Sequence, residues 1–128
     1  SNDSGHLLNE ARQAMLLQRV AEPNPAAMSA RQALEVATRG GASVLGRDDI
    51  GQLREGYAAD LVGWRTDTLN FTGAWHDVTA GLLFGTSQNV DFSIINGKTI
   101  VQEGHMVGVD LPMLIEQHTQ FSKTLIRG

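Results

Sequence analysis

The sequence predicts an α+β fold, on three observations. Apolar residues recur at helical spacing through most of residues 6–45, Asn96-Gly97 sits between two β-rich runs as a hairpin turn, and Asp110 opens a last segment with a helical apolar stripe. The two halves meet in Gly56-Tyr-Ala-Ala-Asp-Leu-Val-Gly-Trp64. There Gly56 can take the positive φ of a tight turn, and Leu61, Val62 and Trp64 form a short apolar run suited to a buried strand.

Taken in order, Ser4 or Asp3 can cap a first helix running from about His6 to Val20, because either side-chain oxygen can accept a free backbone N–H. Leu7, Leu8, Ala11, Ala14, Met15, Leu16, Leu17 and Val20 cover more than one stripe, which predicts burial on two sides. Pro23 and Pro25 end the helix, since each lacks an N–H and disfavours helical geometry in the residue before it.

Ser29 followed by Gln32 fits a capping box, and Ala30, Ala33, Leu34 and Ala37 give a second helix a small-residue face. Gly40-Gly41 reads as its left-handed stop, with one further helical turn at residues 42–45 and a polar connection over Arg47 to Ile50. Residues 65–73 read as loop, and His76 to Gly85 as a short helix that Asp77 can cap.

In Asp91 to Gln102 both Asn96 and Gly97 tolerate the positive φ of a type I′ turn, so two strands pair there. Glu103-Gly104 reads as a bulge or second bend before His105 to Val107. Asp110 caps a terminal helix with Pro112 in its first turn, and Leu111, Leu114, Ile115, His118, Phe121 and Leu125 are expected to face inward.

A chain of 128 residues with 41% hydrophobic content can build one modest core. Lys and Arg number 10 against 14 Asp and Glu, a net charge of −4 that predicts neither nucleic-acid nor anionic-membrane binding. Having no cysteine, the chain has no disulfide, thiolate metal site or cysteine nucleophile. No window reaches the ~20 apolar residues of a membrane span, and the first residues lack signal-peptide features, so a soluble, cytoplasmic protein is expected. The sequence also opens without methionine and directly in helix-start residues, which suggests that more chain precedes it.

The four histidines, His6, His76, His105 and His118, are far apart in sequence and form no His-x-His pair. His118 reads as a half-buried packing residue and His105 as a strand-end residue. Asp77 could orient His76, although capping is its simpler role. Judged by its neighbours alone, Asp3 is an N-cap or a partner of the helix dipole.

Ser1-Asn-Asp-Ser4 with Leu8-Asn-Glu-Ala-Arg-Gln-Ala-Met-Leu-Leu-Gln18 resembles the segment after the last barrel strand in metal-dependent amidohydrolases of the cyclic-amidine and purine deaminase branch. The likeness continues, in family order, through Ala37-Thr-Arg-Gly-Gly-Ala42, Leu45-Gly-Arg-Asp-Asp-Ile-Gly51, Ala59-Asp-Leu61, His76-Asp77 and Ile95-Asn-Gly97. Phe71-Thr-Gly-Ala-Trp-His-Asp77 and Leu111-Pro-Met-Leu-Ile-Glu-Gln-His118 look most like 8-oxoguanine deaminases, with triazine aminohydrolases close behind. Trp75, Val78 and Thr79 depart from the usual pattern.

This resemblance implies the last helices of a (β/α)8 barrel at residues 1–46, the C-terminal half of a small composite β domain at 47–110, and a terminal helix at 111–128. It implies hydrolytic deamination of a small purine or triazine by a homo-oligomer in which a metal, usually zinc, activates a water. Asp3 would be both metal ligand and catalytic proton carrier. The histidines that complete such a site are absent, so the 128 residues alone are expected to bind no zinc and to be inactive. A noncatalytic assembly module, pairing through exposed helix faces, is the alternative.

Overall fold

A computed structural model describes residues 5–85 and 89–127. It contains α1 (Leu7–Ala21), α2 (Ala30–Glu35), a π-helical turn (Val36–Gly40), α3 (Gly41–Val44), β1 (Leu61–Gly63), a 3₁₀ turn (Leu69–Phe71), α4 (Val78–Phe84), β2 (Phe92–Ile95), β3 (Lys98–Gln102), β4 (His105–Met106) and α5 (Leu111–Arg127).

The first helix begins one residue later than expected. His6 is its N-cap and makes no side-chain cap hydrogen bond; Ser4 and Asp3, the expected caps, lie outside the described residues. The second helix starts as its sequence predicts: the Ser29 hydroxyl accepts from the Gln32 N–H at 3.2 Å, while the Gln32 side chain accepts from the Ser29 N–H at 2.8 Å. Gly40 and Gly41 do not stop it. Both are right-handed helical, at φ −61° and −59°, and the helix passes through them into α3.

The left-handed stop falls instead at Gly46, φ +65°. There the Gly46 N–H donates to the Ser43 carbonyl and the Arg47 N–H to the Ala42 carbonyl, both at 3.0 Å, the paired bonds of a Schellman motif. Packing explains the run-through. Gly51, φ +86°, is pressed onto this helical stretch so closely that a Cβ there would stand 3.0 Å from both the Ala42 Cβ and the Thr38 carbonyl oxygen. Tertiary contact of this kind outweighs the weak helix propensity of two glycines.

The core lies between helices. Ala11 and Met15 of α1 meet Ala30 and Ala33 of α2 and Leu83 of α4, and Leu8, Met28, Leu34, Ala37 and Ala80 pack around them. Alanines on both facing helices let the backbones approach, and Met15 and Leu83 fill the space between. Arg19 ties the same layer together: its guanidinium lies over the Phe84 ring and donates twice to the Met28 carbonyl, at 2.9 and 3.0 Å. The expected two-sided burial of α1 is not seen, since Leu7, Leu16, Leu17 and Val20 are exposed.

The sheet is a four-stranded antiparallel meander in the order β1-β2-β3-β4. Asn96 (φ +48°) and Gly97 (φ +77°) form the first turn as predicted, and Glu103 (φ +50°) with Gly104 (φ +76°) form a second one of the same hand. β1 is an edge strand with Val62 exposed, not the buried strand its apolar residues suggest. Phe71 of the 3₁₀ turn is buried against Gly81, so the stretch expected to be a plain loop contributes to packing. The largest difference is α5, where Leu111, Leu114, Ile115, His118, Phe121 and Leu125 are all exposed, so no inward face forms.

Candidate functional site

The site implied by the sequence centres on Asp3, which lies outside the described residues. The described residues begin just after it, at Gly5, and lead into α1. The His6 carbonyl accepts from the Asn9 and Glu10 N–H groups, and the half-buried His6 ring holds an Nδ1 that is shielded from solvent and has no hydrogen-bond partner among the described residues.

His76 is exposed, and the neighbouring Asp77 carboxylate accepts from the Ala80 N–H at 2.9 Å, so Asp77 is the helix cap the sequence suggests. The exposed His105 ring contacts the Glu103 carbonyl through Nδ1 at 2.8 Å. His118 is exposed on α5 rather than half-buried in a packed face. Among the described residues no three His, Asp or Glu side chains stand close enough to hold a metal ion. They do not fit a zinc centre by themselves.

Two arginine–aspartate pairs account for the perturbed charges. Arg47 donates to both Asp49 oxygens, at 2.8 and 2.6 Å, and Arg65 to both Asp67 oxygens, at 3.0 and 2.6 Å. These hydrogen bonds hold each carboxyl below its ordinary value and raise each guanidinium. Both pairs are solvent-exposed and two residues apart in sequence, features of surface turns rather than of a catalytic cleft.

The motif pieces prove to have structural work. Asp60 of Ala59-Asp-Leu61 accepts from the Asn96 N–H at 2.6 Å, and the Ala59 carbonyl accepts from the Gly97 N–H at 3.1 Å. Two motifs far apart in sequence are therefore one structural unit. An Asp immediately before a strand gives a local hint of capping, but nothing local identifies its partner.

Comparison with known proteins places this geometry. Residues 1–100 match the amidohydrolase family. Over its whole length the chain is 39% identical to an 8-oxoguanine deaminase of Pseudomonas aeruginosa, of which it covers 28%. Over 86% of its length it is 36% identical to hydroxydechloroatrazine ethylaminohydrolase of Pseudomonas sp. strain ADP, of which it covers 24%. Among solved structures, the atrazine chlorohydrolase TrzN of Arthrobacter aurescens TC1, complexed with zinc, superposes with a TM-score of 0.86 and 41% identity, over 94% of this chain and 27% of that one.

The chain belongs to the amidohydrolase family. It spans about a quarter of the length of these two curated relatives. Among the described residues, no helix is long and apolar enough to cross a membrane.

Proposed function

We propose that this chain is the C-terminal part of a metal-dependent hydrolytic deaminase acting on a purine-like ring such as 8-oxoguanine. The 39% identity to an 8-oxoguanine deaminase across the entire chain carries the proposal. In this reading residues 1–46 belong to the end of a (β/α)8 barrel, 47–110 to half of a small β domain, and 111–128 to a terminal helix. The exposed Leu16, Leu17 and Val20 support it, because a barrel lying against α1 would cover them.

Asp3 is the residue this chain would contribute to the reacting centre, as metal ligand and proton carrier. Zinc is the metal favoured, given the zinc-complexed Arthrobacter structure. The histidine pair that would complete such a site has no counterpart in this sequence, so in this reading the other ligands come from a longer polypeptide and the 128 residues alone are inactive. A triazine is the alternative substrate, which the same Arthrobacter likeness at 41% identity favours.

The test measures ammonia release from 8-oxoguanine and from an amino-triazine by the complete gene product and by its Asp3→Ala variant. Deamination of the purine should fall by several orders of magnitude in the variant with the thermal melt unchanged. An active variant removes Asp3 from the site, and a complete product that releases ammonia only from the triazine replaces the purine reading.

A further inference from the structure

We draw no further inference here: the strongest candidate, the exposed apolar face that α5 carries through Leu114, Ile115, Phe121 and Leu125, has nothing in the structure to show what covers it.

Discussion

The Asp60 carboxylate accepts a hydrogen bond from the backbone N–H of Asn96 at 2.6 Å, fastening the entry to β1 onto the turn between β2 and β3. Asn96 sits at φ +48°, a left-handed conformation that Asn tolerates better than most residues, and the bond fixes the turn from outside the hairpin. Asp60→Ala should destabilise the fold by about 1 kcal/mol, the usual net worth of one exposed hydrogen bond. Amide exchange would check it: the Asn96 and Gly97 N–H groups should exchange faster, while those of α1 should not change.

Where β1 pairs with β2, Gly63 faces Phe92, and a Cβ on Gly63 would collide with the Phe92 Cε1. The ring occupies the space a side chain would need. Gly63→Ala must therefore turn aside the exposed ring, at roughly 1 kcal/mol, the low end for overpacking because the ring is not locked in a core. In a Phe92→Ala background the same substitution should cost close to nothing, and a double-mutant cycle in urea would read the difference as coupling. Additive effects would show that the ring is free to turn away.

What the sequence made legible was local. The Ser29–Gln32 box and the Asp77 cap rest on side chains acting within three residues, and the Asn96-Gly97 turn on two adjacent residues that tolerate positive φ, so residue type and spacing suffice to find them. The Gly40-Gly41 stop failed because Gly51, in the loop that follows α3, folds back and presses onto the helix at Thr38 and Ala42, a contact that helix-end residue patterns do not contain. The apolar stripe of α5 was legible as a stripe, yet periodicity reports which face is apolar and not what lies against it. As for the site, neighbouring residues alone make Asp3 a cap, and only the family likeness makes it a ligand. The clasp of Asp60 on Asn96 was illegible for the same reason as the Gly51 contact.

Acid should report on the two surface pairs. The hydrogen bonds from Arg47 and Arg65 lower the folded-state values of Asp49 and Asp67 below the ordinary 3.8. Groups with depressed folded values contribute stability that is present above the ordinary value and is lost as pH falls through the folded one. The small contribution of these pairs should thus be fully present and independent of pH around neutrality, and be lost as pH falls below the ordinary 3.8 and through the lower folded values. Carboxyl titration followed by NMR would show both aspartates titrating low, and Arg47→Ala should return Asp49 to the ordinary range while leaving Asp67 where it is.

Two apolar residues on different helices should behave in opposite ways. Met15 is fully buried in α1 where α2 and α4 meet, so Met15→Ala leaves a cavity worth about 2–5 kcal/mol. With so small a core, a loss of that size could unfold the helical layer outright. Leu114 is 49% exposed on α5, and in the chain by itself Leu114→Gln should change stability by no more than about 0.5 kcal/mol. Thermal melts of the two variants separate the cases. In a longer enzyme that covers α5, the Leu114 substitution would become costly, so the same variant measured in the 128-residue chain and in the complete gene product tells whether this helix is packed there.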